Sequence, residues 1–165
     1  MSDGEKRNNS RIIIGALVVI FIIIQFIPVS RTNPPVKAEI PAPANVKPIL
    51  ERACYDCHSN ETDWPWYSHV APVSWLVAHD VHEGREHMNM TDWNALKPAE
   101  QVDHIEGIWE MIDDGDMPLW YYQIMHPKSK LSDQDMTAIR NWSESVSSQA
   151  HGKEGDSEGG EESAD

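Results

Sequence analysis

Two cysteines and a histidine carry the most specific chemistry in this chain. Cys54-Tyr55-Asp56-Cys57-His58 reads C-x-x-C-H, the attachment pattern of a c-type haem. Two thiols add to the haem vinyl groups and form thioethers. An offset of three on a helical turn points both sulfurs at one edge of the porphyrin. The adjacent imidazole then lies under the iron as its proximal ligand. Three rival uses of these residues stand beside this one. A disulfide between residues three apart closes a tiny, strained loop and adds little stability. A thioredoxin-like redox pair needs a strand before it and a helix after it. A zinc site needs two more ligands, and the chain has no further cysteine, although histidines are available.

An iron held by His58 has a second axial position. Met117-Pro118 lies between the motif and the end of the chain. The order of helix, C-x-x-C-H, middle helices, Met-Pro loop and final helix resembles the small cytochromes c, which implies Met117 as the distal ligand. Met/His ligation raises the reduction potential, and six-coordination leaves no site for chemistry on a substrate. His69, His79, His82, His87, His104 and His126 are the alternatives. Of these, His79 and His82 share one face of a helix. Each histidine also has a plainer use at the surface or as a cap, and Met88, Met90, Met111 and Met125 suit core packing.

These residues need elements to position them, and the apolar spacing predicts helices. Val46, Ile49, Leu50 and Ala53 fall on one face over about 46–54. Val73, Leu76, Val77 and Val81 form a stripe over about 72–83, with Gly84 as a stop. Val102, Ile105, Ile108, Trp109 and Ile112 define a third helix over 98–113, opened by Pro98. A last helix follows Ser132 as N-cap with Asp135 at N3, and runs to about Val146. No period-2 strand stands out. The fold expected is mainly α: a small cytochrome c-like helical domain around a covalent haem, after one N-terminal transmembrane helix. Phe21 and Phe26 both lie near the N-terminus. The core must therefore come from Trp, Tyr, Met and aliphatics.

Ile12 to Val29 contains no charge and one polar side chain, Gln25. A helix of that length spans about 27 Å, close to the hydrocarbon core of a bilayer. It reads as an uncleaved signal anchor over 12–29. Lys6, Arg7 and Arg11 place residues 1–11 in the cytoplasm. A cleaved signal peptide competes, but the run exceeds the usual apolar length and no small-x-small site follows closely. The Pro-rich stretch 30–44 reads as a semi-rigid spacer, with a loop wrapped on the domain as its alternative in the final third. Residues 45–147 form the c-type haem-binding domain. Residues 148–165 are Gly, Ser, Glu and Asp with few apolar groups, and are expected to be disordered. The net charge of −14 argues against nucleic acid as a partner.

QFIPVSRTNPPV, CYDCHSNETDWPWY, PVSWLVAHDVHEGREHMNMTDW, MPLWYYQIMHP and LSDQDMTAIRNW together resemble the bacterial haem-binding domain family. Its members are small, membrane-tethered c-type proteins. The resemblance covers about residues 12 to 145. It is most specific at C-x-x-C-H, at Asn60-x-x-x-Trp64-Pro65-Trp66-Tyr67, and at Ser74-Trp75…Gly84-Arg85…Asn89. It implies one haem c bound covalently at Cys54 and Cys57 with His58 as proximal ligand, on the periplasmic side of the bacterial inner membrane. Trp64-Pro65-Trp66-Tyr67 lines the haem pocket or packs the corner after the haem turn. Arg85 offers a guanidinium for a haem propionate or a cation at a helix C-terminus. The function expected is one-electron transfer by a membrane-anchored cytochrome. A haem-based sensor with a displaceable sixth ligand is the alternative. An enzyme is not expected, because no histidine is marked as an acid/base group above an open iron. The redox partner should carry a basic docking face.

Overall fold

The computed structural model describes residues 3–158. Helix α1 spans Asp3–Ile24. Its stretch Arg7–Ile24 is long and apolar enough to cross a membrane, and none of it is buried by the protein. The helix ends before the expected Val29 because Pro28 removes a donor and cannot extend it.

The domain that follows is built from helices around one core. Helix α2 (Lys47–Ala53) carries Pro48 in its first turn and buries Ile49, Leu50 and Ala53. Cys54 breaks the helix, and the single turn α3 (Tyr55–His58) restarts it. A 3₁₀ turn at Trp66–His69 leads into α4 (Val73–His87). Helix α5 spans Pro98–Asp113, as the stripe predicts. Helix α6 (Trp120–Met125) forms inside what the sequence reads as loop. Helix α7 runs Asp133–Glu158. It continues through residues 148–158 of the segment expected to be disordered. A helix nucleated on a packed turn propagates at little cost, and no proline interrupts it. The rest of that segment, 159–165, lies outside the described residues.

Ile105, Ile108 and Ile112 of α5 meet Ile139 and Trp142 of α7 in a core shared with Val46, Leu50, Tyr55, Met88, Met90 and Trp93. Burying each such side chain contributes roughly 1.5–3 kcal/mol. The α7 start is a reciprocal cap. Asp135 N–H donates to Ser132 Oγ at 3.2 Å, while Asp135 Oδ2 accepts from Ser132 N–H at 2.8 Å and from its hydroxyl at 2.7 Å. The same carboxylate meets Arg52 Nη2 of α2 at 2.5 Å, so it ties the helix entering the haem motif to the last helix. Burial raises the Asp135 pKa, but the Ser132 bonds and Arg52 outweigh it and the net shift is downward. A depressed pKa contributes stability above about pH 4, the ordinary carboxylate value, and that contribution is lost as pH falls below it. We therefore expect Asp135→Asn to cost about 1 kcal/mol at pH 6 and less at pH 3.5. Urea midpoints at the two pH values measure the difference.

The Pro-rich stretch is extended but is not a free spacer. Lys37 and Ala38 N–H donate to Thr91 O at 3.0 and 3.2 Å, Ile40 N–H to Met90 O at 2.7 Å, and Trp93 N–H to Ala38 O at 3.0 Å. Ile40 is fully buried. Prolines leave fewer N–H groups in such a segment, and those of Lys37, Ala38 and Ile40 pair with the carbonyls of Met90 and Thr91. The spacer reading is corrected to a strap bound along the domain.

Candidate haem site

Helix α2 is held by its apolar stripe, and this sets Cys54 against the core. One tight turn follows, with Cys57 N–H and His58 N–H both donating to Cys54 O, at 3.1 and 2.9 Å. Both cysteines are free. Burial pushes each thiol up to about 12, with Asp56 and Asp80 adding to the effect at Cys57. A neutral thiol is a poor redox nucleophile, since that role needs the thiolate. No strand precedes the pair, as a thioredoxin-like site requires; helix α2 does. Among the described residues the one group spaced for a metal ion, His82, Glu83 and Glu86, is fully solvent-facing and excludes both cysteines.

His58 Nδ1 lies 3.3 Å from the Met88 carbonyl oxygen. A carbonyl only accepts, so Nδ1 carries the proton and Nε2 keeps its lone pair. Burial lowers the His58 pKa, only partly opposed by the Met88 and Gly84 carbonyls. A neutral imidazole with Nδ1–H on a backbone carbonyl is the form that ligates iron through Nε2.

Gly84 is not a helix stop. Helix α4 passes through it to His87, and a methyl group there would lie 2.7 Å from the Cys57 carbonyl oxygen. The glycine lets α4 lie flush against the haem turn. Arg85 Nε donates to Ser59 O at 2.6 Å, Nη1 to Thr32 O at 2.8 Å, and Nη2 to Asn33 Oδ1 and Thr62 Oγ1 at 3.0 and 2.8 Å. With four of its five N–H donors so engaged, the guanidinium is a clamp between strap, haem turn and α4. Asn60 is a second clamp. Its Nδ2 donates to Pro35 O at 3.1 Å, its N–H to Thr91 Oγ1 at 2.7 Å, and its Oδ1 accepts from Asn89 Nδ2 at 2.8 Å.

Helix α6 contributes what the sequence reading missed. Tyr122 Oη donates to Asp56 Oδ2 at 2.6 Å, inside the C-x-x-C-H motif, and Tyr121 Oη donates to Asp80 Oδ2 of α4 at 3.1 Å. The His126 ring stacks on Tyr122 at 4.2 Å, and its Nε2 meets Tyr67 Oη at 2.5 Å. Asp56 is the x residue of a motif read only for its ends, so no spacing signal pointed to it. Trp64 is stitched to the strap, its Nε1 donating to Asn33 Oδ1 at 3.1 Å, while Trp66 faces solvent.

The family model described as a haem-binding domain matches residues 19–145. The chain belongs to the haem-binding domain family. Haem is therefore its cofactor. Comparison with curated proteins and with solved structures finds no match.

The haem-binding domain offers the group fitting residues. His58 is neutral with Nε2 in no described bond, and both thiols are free. Met117 is half-buried just past α5, its N–H donating to Met111 O at 3.0 Å. No described contact joins it directly to His58. Its loop is nonetheless fastened to the haem turn by Tyr122 and to α4 by Tyr121, and Met117 lies within about 17 Å of extended chain of Tyr122. His79 and His82 are turned elsewhere. At about 100° per residue they lie about 140° and 200° around α4 from Gly84, and they pair outward with Glu83 and Glu86 at 3.9 and 3.5 Å. This geometry separates them from the side of α4 that meets the motif.

Proposed function

We propose that the domain holds its haem covalently through Cys54 and Cys57, with His58 Nε2 as proximal ligand and Met117 as distal ligand. In this reading it is a membrane-anchored one-electron carrier and not an enzyme. The observation that carries it is His58: a half-buried neutral imidazole whose Nδ1 is fixed on a carbonyl, one residue from a free thiol pressed against α4. The bound iron supplies the Fe(III)/Fe(II) couple. The chain's residues hold it, exclude water and set its potential, which Met/His ligation raises. The basic cluster at Lys6, Arg7 and Arg11 supports a cytoplasmic N-terminus. The haem domain then sits on the periplasmic side of a bacterial inner membrane.

Covalent attachment is tested by extraction of the denatured protein with acidified organic solvent. Haem that stays with the chain supports thioethers, and haem that leaves overturns them. Ligation is tested by absorption spectra of wild type and Met117→Ala in both redox states. Loss of the low-spin spectrum in the variant, with new CO binding to its ferrous form, is expected. An unchanged spectrum removes Met117. Tight CO binding by the wild type would favour the displaceable-ligand sensor.

Residues 32–147 hold 8 basic and 19 acidic side chains, and two propionates make that surface more negative. A partner with a basic docking face follows. The bimolecular electron-exchange rate with such a partner should fall as salt rises from about 0.01 to 0.15 M, since the Debye length shrinks from about 30 to 8 Å. Stopped-flow kinetics measure it.

A further inference from the structure

Gln25 is the single polar side chain of the apolar run, and it is engaged. Its Oε1 accepts from Ala71 N–H at 2.9 Å, and its Nε2 donates to Ala71 O at 3.2 Å. Arg31 Nη1 adds a stitch to Ser68 O at 3.2 Å. Ala71 stands between the Trp66–His69 turn and the first turn of α4. Both turns are thereby held where the chain leaves the apolar run.

The surface there differs from the rest of an acidic domain. From Trp64 to His79 there is no Asp, Glu, Lys or Arg, whereas at the chain's 24% charged residues these sixteen positions would carry about four. Trp66 is 73% exposed, Leu76 47%, Val73 44% and Trp75 37%, beside Phe26 at 82% and Ile27 at 51%. A charge-free surface rich in Trp matches the headgroup zone of a bilayer, where amphipathic rings settle and unpaired charges are costly.

We infer that the Trp66–His69 turn and the first turn of α4 rest in the headgroup region of the phospholipid bilayer, as a second membrane contact beside α1. The inference rests on the reading of α1 as a membrane span. It gives the domain one orientation. The haem turn meets α4 at Gly84, about 20 Å along the helix from Ala71, so the redox site is carried at the far end of α4 from this seat.

Neutron reflectometry of the full-length haem-loaded protein in a supported bilayer of phosphatidylethanolamine and phosphatidylglycerol tests it. The expected profile has protein density in the hydrocarbon layer and a domain layer contiguous with the headgroups. The double variant Trp66→Glu/Leu76→Glu should open a water layer between them while keeping the wild-type haem spectrum. A resolved water layer in the wild type overturns the seat, as does a double variant with unchanged spacing. Absence of protein density from the hydrocarbon layer overturns the anchor, and the seat with it. If the double variant loses its haem spectrum, the wild-type profile alone decides.

Discussion

Gly84→Ala should destabilise the domain by about 1–2 kcal/mol, and Gly84→Val should largely prevent a folded, haem-loaded product. Two effects oppose each other at this position. Alanine in a helix interior is favoured over glycine by about 1 kcal/mol. Against it stands a methyl group 2.7 Å from the Cys57 carbonyl oxygen and 3.2 Å from the Cys57 Cβ. Overpacking typically costs 1–3 kcal/mol, about, and here the atoms met are backbone, which cannot swing aside. The neighbours on both sides are also fixed: Arg85 bonds Ser59 O, and Tyr121 bonds Asp80. The steric term therefore wins. Valine adds two more carbons against a total stability of about 5–15 kcal/mol. The urea midpoint, at constant slope, and the fraction of protein carrying haem report the effect. A Gly84→Ala protein as stable as wild type would sink the close-packing argument.

Arg85→Met should cost about 2–4 kcal/mol and free the strap. The substitution keeps an apolar stem and removes donors that reach four acceptors on two segments, 32–33 and 59–62. Ser59 is fully buried, so its carbonyl loses a charge-assisted partner with no water to replace it. Arg85→Lys should recover little, because one ammonium cannot span the positions a planar fork reaches. Hydrogen exchange at the Lys37, Ala38 and Ile40 amides, which bond to Thr91 and Met90, should quicken in both variants. Wild-type exchange rates in Arg85→Met would show that the clamp is not what holds the strap.

The parts of the site legible in the sequence are those fixed by local chemistry. C-x-x-C-H declares itself because thioether attachment needs that offset on one turn, and the turn is present with both sulfurs free. The α5 stripe, the Ser132–Asp135 cap and the apolar run of α1 are likewise local, set by periodicity, a hydrogen bond across three residues, and length. Gly84 shows the limit. A glycine after an apolar stripe looks like a stop when only its own helix is considered, and it is the Cys57 backbone, 27 positions earlier, that turns it into a contact. Arg85 was ambiguous for the same reason. Its acceptors at 32, 33, 59 and 62 leave no mark near position 85.

From its residues alone this chain can be read as an apolar N-terminal run followed by a helical domain bearing a C-x-x-C-H motif, because each of those properties depends on neighbours within a turn or two. Folding in three dimensions settled the rest: that the Pro-rich segment is a strap, that Asp56 answers to Tyr122, and that Gln25 clasps Ala71. All of these are contacts between residues far apart in the chain. Their energies come from burial and from pairing polar groups that water no longer reaches, and neither quantity exists until the helices have packed.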